Sequence, residues 1–129
     1  MPGYEEKDLL HYGKWLCSLP QEEKLKLHKK FWNSDNPNIY RGLAPFIDND
    51  PSHVEIFDMG SDYDLISEEE REYSLHEKTP WPEQSDEAKL FTAYMKEHYA
   101  LRVKVSTELV SLIAEGLGKN PNFFDQWYK

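Results

Sequence analysis

The feature that most constrains the fold is an apolar periodicity in the C-terminal part of the chain. Ser85 is a favourable N-cap, and Asp86 and Glu87 suit a first helical turn, because the N-terminus of a helix carries partial positive charge. Gly116 suits the left-handed position that follows a last turn. The pattern predicts one amphipathic helix of about 30 residues, roughly 45 Å long at 1.5 Å per residue. Its large apolar side chains recur at helical spacing, at Phe91, Met95, Leu101, Val105, Leu109, Leu112 and Ile113.

Two shorter helices are predicted near the N-terminus. Apolar and small residues recur at helical spacing from Glu5 to Cys17, and this helix must stop near Pro20. Ser18 is then expected to start a second helix, because Gln21 three residues later completes a capping-box pattern. This second helix is predicted to be short and mostly solvated.

The middle of the chain predicts a small sheet followed by a long loop. Strand-like stretches at 39–47 and 53–59 flank turn-forming residues at 48–51, which indicates a hairpin or two neighbouring strands. Residues 60–84 hold an acidic run and a tryptophan between two prolines, without sustained periodicity. The fold class is therefore α+β, with the long helix and the shorter helices against a small sheet, and 1–129 is expected to be one domain.

The long helix is too large for so small a sheet to cover completely. The chain also ends in a cluster of aromatic residues, of the kind that usually continues into a core. We therefore expect an incompletely covered helix and a marginally stable or self-associating chain. The terminal aromatic residues are Phe123, Phe124, Trp127 and Tyr128.

Composition excludes several classes of function. The chain has 129 residues, of which 15 are basic and 24 acidic, and the net charge of -9 would repel a phosphate backbone, so nucleic acid is excluded as a partner. A mean hydropathy of -0.80 excludes a membrane protein. The lone Cys17 excludes an internal disulfide, and the N-terminus has no secretory pattern, so a cytoplasmic location is expected.

Five short motifs occur in a recognisable order. They are LPQEEK at 19–24, YRG at 40–42, EIFDMG at 55–60, WP at 81–82 and IAEGLG at 113–118. None is specific alone, but the ordered set resembles the N-terminal region of the isopenicillin N synthase-like, iron(II)/2-oxoglutarate-dependent oxygenases, over roughly residues 14–124. The sequence departs from the family pattern at Leu43, where an aromatic residue is usual, at His53-Val54, where a basic residue often precedes the glutamate, and at Thr79-Pro80, where an asparagine is usual before the tryptophan.

The resemblance implies a segment of a larger enzyme. It implies the N-terminal part of a double-stranded β-helix (jelly-roll) oxygenase, incomplete at both ends, with the catalytic core absent. The family's His-x-Asp/Glu, distal His and Arg-x-Ser belong to that core, so the resemblance assigns no catalytic and no metal-binding residue to this chain. Iron(II) and 2-oxoglutarate are implied for the complete enzyme only.

Three residues are candidates for substrate binding. By resemblance, Arg41 could hold a substrate carboxylate with its guanidinium fork, with Tyr40 beside it. The alternative for Arg41 is a salt bridge to one of many local carboxylates. Trp81 could line a substrate mouth or could simply anchor its loop on the core.

The sequence does not predict an iron site within the chain itself. His53-Val54-Glu55 offers a His-x-Glu pattern and His98 a third ligand, but His98 lies inside the predicted long helix and Glu55 fits the non-catalytic strand of the family pattern. The remaining histidines, His11, His28 and His76, are expected to be solvated, and Cys17 is expected to be a buried, inert thiol.

Two functions from different classes follow. The first is the scaffold and substrate-lid segment of a 2-oxoglutarate/Fe(II) oxygenase, not catalytic alone, with the remainder of the oxygenase fold as its partner. The second is a stand-alone interaction module that has lost catalysis and binds a partner helix or a second copy through the apolar face of the long helix.

Overall fold

The computed structural model describes residues 5–49, 51, 53–73 and 75–127, and it divides into two compact units at Lys96. The first unit contains most elements and the start of the long helix, and the second contains the rest of that helix and the residues after it. The α+β class is as predicted. In chain order the elements are α1 (Glu6–Cys17), α2 (Gln21–Leu27), β1 (Gly42–Ala44), β2 (Ile56–Asp58), α3 (Glu68–Arg71) and α4 (Asp86–Gly116).

The N-terminal helices form where the sequence predicts them, but their junction differs. The N-cap of α2 is Pro20, and no side chain caps it. Ser18 instead ends α1, where its hydroxyl donates to O of Trp15. The α2 helix is also less solvated than predicted, because Lys24 and Leu27 are buried. Propensity alone could not show that this helix packs its face against the sheet.

The sheet is a short antiparallel pair, which confirms the predicted neighbouring strands but not their length. Leu43 of β1 pairs with Phe57 of β2, and Leu43 is fully buried. Gly42 has a φ of 124°, and a Cβ there would lie 2.5 Å from O of Leu27. Only glycine suits this backbone, because an L-residue would meet both the dihedral strain and the carbonyl of α2.

The core of the first unit is centred on Phe91, which is 1% exposed. Leu16 of α1, Leu27 of α2 and Leu43 of β1 pack with it, so four elements share one small core. Fully burying a side chain of this kind contributes about 1.5 to 3 kcal/mol. The start of α4 is therefore held to the N-terminal helices and the sheet.

The predicted loop at 60–84 is mostly irregular, as expected, but it contains one short helix. Ser67 caps α3 and Glu70 closes a capping box with it, each side chain bonding the other residue's backbone N–H. The acidic run at Glu68 and Glu69 is solvent-exposed. The sequence thus contains a capping box, but at Ser67 rather than at Ser18.

The long helix begins and ends close to its predicted limits. Ser85 accepts a hydrogen bond from N of Ala88, as an N-cap does. The C-terminal prediction was wrong by two residues, because the left-handed residue is Gly118, with a φ of 68°, and not Gly116. N of Lys119 donates to O of Ala114 and N of Gly118 to O of Glu115, which is a Schellman motif.

In the second unit, much of the apolar face of α4 is uncovered. Leu109, Leu112 and Ile113 are each more than half exposed, and their spacing places them on one face of the helix. Phe123, Phe124 and Trp127 pack on one another, with ring centroids 5.0 to 5.9 Å apart. Tyr128, which was predicted to join this cluster, lies outside the described residues.

Candidate functional site

The Arg41 side chain holds two backbone segments together. Its guanidinium donates to O of Met59 at 3.1 Å and to O of Leu75 at 3.3 Å. A Cβ at Gly60 would lie 2.7 Å from Nε of Arg41, so a larger residue at this position would displace the guanidinium from its present place. The arginine of the YRG motif and the glycine of the EIFDMG motif are therefore structural partners.

A carboxylate lies against the backbone of the same motif. Glu77 accepts hydrogen bonds from N of Ile39 and N of Tyr40, both at 2.7 Å, and from N of Arg41 at 2.9 Å. Burial alone would raise the pKa of Glu77, but the three N–H donors and the charge of Arg41 outweigh it and hold that pKa below its usual value. No local pattern predicts this contact, because 36 residues separate Glu77 from Arg41.

The Trp81 ring packs on core residues on one side and lines a cavity on the other. Its ring lies 5.8 Å from that of Phe57 and 6.2 Å from that of Phe91, centroid to centroid. It also lines a cavity of about 330 Å³ next to His28. Tyr40 and Arg41 do not line this cavity, so the structure does not gather the three predicted substrate-binding residues around it. Their substrate roles stay predictions.

Three ion pairs hold β2 and the residues next to it, two of them to the helices α2 and α4 and one to Lys29, which follows α2. Lys24 donates from Nζ to both carboxylate oxygens of Glu55 at 2.9 Å, and the two side chains are only 7% and 13% exposed. Lys29 pairs with Asp58. Lys96 of α4 pairs with Asp62 at 2.7 Å, and this bond lowers the pKa of Asp62. The lysine of the LPQEEK motif and the glutamate of the EIFDMG motif thus bind each other.

The described residues do not fit an iron site. His53 is exposed, has a φ of 48° and stacks on Phe46, and Glu55 is bound to Lys24. His98 lies within α4, where Arg102 donates to it. Among the residues that the structure describes, no three His, Cys, Asp or Glu side chains are grouped so that they could hold a metal ion.

Two expectations about single residues were wrong. His28 is buried rather than solvated, with 7% of its surface exposed and both ring nitrogens without a hydrogen-bond partner among the described residues. Burial lowers its pKa, so the ring is neutral at pH 7. Cys17 is exposed rather than buried, although desolvation and a hydrogen bond to Glu55 raise the pKa of its thiol. A raised pKa keeps the thiol protonated and unreactive.

Comparison with known proteins identifies relatives of this fold and these motifs. No protein-family model matches the chain. The chain is 27% identical over 113 residues to isopenicillin N synthase of Streptomyces clavuligerus, an alignment covering 84% of this chain and 33% of that protein. A crystal structure of a C-terminally truncated Neurospora crassa protein in apo form, NcT7HdeltaC, matches with a TM-score of 0.71 and 21% identity, over 98% of this chain and 42% of that one.

These matches confirm the resemblance seen in the motifs. The chain is related to the isopenicillin N synthase-like oxygenases, and it spans about a third of the length of the curated relative. The structural match supports the fold alone, and it covers less than half of the solved chain. The helices and the two-stranded sheet belong to that shared part. The described residues contain no helix that is both long enough and apolar enough to span a membrane.

Proposed function

We propose that this chain is the N-terminal scaffold and substrate-lid segment of an iron(II)/2-oxoglutarate-dependent oxygenase of the jelly-roll type. In this proposal the iron ligands and the Arg-x-Ser that binds 2-oxoglutarate lie in a part of the fold that the 129 residues do not include. The observation that carries the proposal is the partial match, which covers 84% of this chain but only 33% of isopenicillin N synthase. A cytoplasmic location is part of the same proposal.

The contacts of the motif residues support a scaffold role. Lys24 and Glu55 neutralise each other, and Arg41 fits against Gly60 and binds the backbone at Met59. Side chains used in this way stabilise the fold and are not available as metal ligands. The motif residues that carry the resemblance are therefore residues whose contacts with one another stabilise the segment.

The test is a chimera. Residues 1–129 replace the equivalent segment of a complete homologous oxygenase, and binding of Fe(II) and 2-oxoglutarate is measured by calorimetry. Both should persist, because their ligands belong to the other part of the enzyme, while the substrate preference should change. A chimera that folds, as judged by circular dichroism, but has lost iron binding would contradict the proposal.

Arg41→Ala in the chimera tests the substrate-side role of Arg41. Binding of carboxylate-bearing substrates should weaken by about 1.5 to 3 kcal/mol, the value of a charged hydrogen bond, while uncoupled 2-oxoglutarate decarboxylation persists. Because Arg41 also clamps Met59 and Leu75, the melting temperature and a substrate without a carboxylate serve as controls. Equal loss with both substrates would show a purely structural residue.

The exposed face of α4 favours a second candidate function. Leu109, Leu112 and Ile113 could bind a partner helix or a second copy in a stand-alone module that has lost catalysis. The transcript downstream of Lys129 separates the two candidates. A continuing frame that encodes His-x-Asp and Arg-x-Ser supports the oxygenase segment, and a stop codon supports the module.

A further inference from the structure

The backbone at Ile39, Tyr40 and Arg41 converges on one point. All three N–H groups donate to the single carboxylate of Glu77, so together they form a backbone anion-binding site, called the nest below. The Arg41 guanidinium adds a fourth donor to the same segment, because it binds O of Leu75, two residues before Glu77. Residues 75–77 thus accept four hydrogen bonds, three from the backbone N–H groups of residues 39–41 and one from the guanidinium of Arg41.

We propose that residues 39–41 form a carboxylate-binding site, that Glu77 fills this site in cis, and that an external carboxylate reaches Arg41 only when residues 75–79 move away. The identification of that external carboxylate as part of an oxygenase substrate rests on the proposed function. The nest itself does not, because its geometry is present in this chain.

The contacts of the latch segment, residues 75–79, are mostly polar. Besides the bonds of Glu77 and Leu75, further contacts hold it: Asn38 donates to O of Lys78 at 2.6 Å, Nδ1 of His76 lies 2.6 Å from O of Glu70, and the hydroxyl of Thr79 accepts from N of Gly60. Leu75 is exposed, whereas Thr79 is buried. A segment held by exposed hydrogen bonds opens at lower free energy than the core. Opening at Leu75 and Glu77 should therefore cost less free energy than opening at the buried Thr79.

Release would free all four donors together. The guanidinium would stay in place, because its bond to O of Met59 and its contact with Gly60 do not involve the latch segment. The freed set, three backbone N–H groups and one guanidinium arm, is matched to a carboxylate. While the latch is closed, the apparent affinity for an external carboxylate is lowered in proportion to the open fraction.

The first experiment uses the 129-residue chain, with sodium acetate as the probe and sodium chloride at equal ionic strength as the reference. Acetate should raise the melting temperature of Glu77→Ala saturably and shift the amide resonances of Ile39, Tyr40 and Arg41. The wild type and Glu69→Gln, which removes an exposed charge from the same loop, should show neither effect. Tethered Glu77 outcompetes free acetate because its effective concentration is in the millimolar range or above.

If Glu77→Ala does not fold, the acetate titration is repeated with Glu77→Gln. It keeps one neutral acceptor, so the chain should fold with a weakened latch and with faster amide exchange at residues 39–41. Acetate should then shift those amide resonances. Folded variants whose amides at 39–41 ignore acetate would overturn the proposal.

The second experiment adds Glu77→Gln to the chimera. If the latch is closed about nine-tenths of the time, the KM for a carboxylate-bearing substrate should fall by up to about tenfold. The KM for 2-oxoglutarate and for a substrate without a carboxylate should not change. An active chimera whose KM ignores Glu77→Gln would overturn the latch alone, whereas a folded chimera without iron binding would overturn the proposed function.

Discussion

The buried pair of Lys24 and Glu55 offers a quantitative test of what holds this fold together. Replacing Lys24 with Met keeps the length of the side chain and removes its charge. The Glu55 carboxylate then loses two charge-assisted hydrogen bonds of 2.9 Å at a position where only 13% of its side chain is exposed. Water cannot replace the ammonium there without opening the contact between α2 and the strand region.

The expected magnitude follows from this burial. Removing one partner of a buried pair costs about 3 to 5 kcal/mol, because an uncompensated charge stays behind. Domains of this size are stable by only about 5 to 15 kcal/mol, so Lys24→Met should remove a large share of the total. Replacing both partners, as Lys24→Met with Glu55→Leu, should restore most of the loss, since no buried charge remains.

Urea denaturation followed by circular dichroism measures these free energies of unfolding. Lys89→Met is the matched control, because Lys89 pairs with Asp86 at 2.7 Å but the two side chains are 74% and 94% exposed. That exposed pair should be worth less than about 0.5 kcal/mol. If Lys24→Met costs no more than Lys89→Met, or if the double variant is less stable than Lys24→Met alone, the reasoning from burial is wrong.

Three further predictions concern the backbone, pH and association. Gly42→Ala should lower the free energy of unfolding by at least about 2 kcal/mol, since the φ of Gly42 is 124° and a Cβ there would lie 2.5 Å from a carbonyl oxygen. Gly13→Ala should raise it by about 0.5 to 1 kcal/mol, because Gly13 is helical and has free space around it. Thermal melts of the two variants and the wild type measure both effects. Because the pKa of Glu77 is lowered in the folded state, its stabilising contribution is complete above the unfolded pKa of about 4.3 and is lost as pH falls through the folded pKa. The urea midpoint of the wild type should therefore fall between about pH 6 and about pH 3, and the midpoint of Glu77→Gln should fall less over the same range. If the chain self-associates through the exposed face of α4, its sedimentation coefficient should rise with protein concentration, and the double variant Leu109→Glu with Ile113→Glu should abolish that rise. Equal behaviour of the wild type and the variant would show that this face of α4 does not drive self-association.

Local patterns in the sequence predicted the elements of this fold well. The long helix was predictable because its apolar spacing and the Ser85 cap act over a few residues, and the structure places α4 at Asp86–Gly116. The strand pair was predictable for the same reason. The errors arose where two local signals competed. Ser18 fits both the end of one helix and the start of the next, and Gly116 and Gly118 both suit a left-handed residue.

The candidate site was predictable only as a set of motifs. The order of LPQEEK, YRG, EIFDMG and WP indicated the relationship to oxygenases, and the comparisons confirm it. The motifs did not reveal that Lys24 binds Glu55 or that Arg41 fits against Gly60. They also gave no sign of Glu77, which belongs to none of them.

What the sequence by itself determined is the α+β class, the long helix, the acidic surface and the kinship with the oxygenases, because each follows from composition, periodicity or motif order. Tertiary structure alone decided which charges are paired and which donors are occupied. Glu55 is one of 24 acidic residues, and nothing in its neighbourhood along the chain distinguishes it from the others. Its partner Lys24 is 31 residues away along the chain, and Glu77, which binds the nest, is 36 residues away from Arg41. Such pairs depend on the packing of Leu16, Leu27, Leu43 and Phe91, because that shared core sets the distance between the segments that carry them.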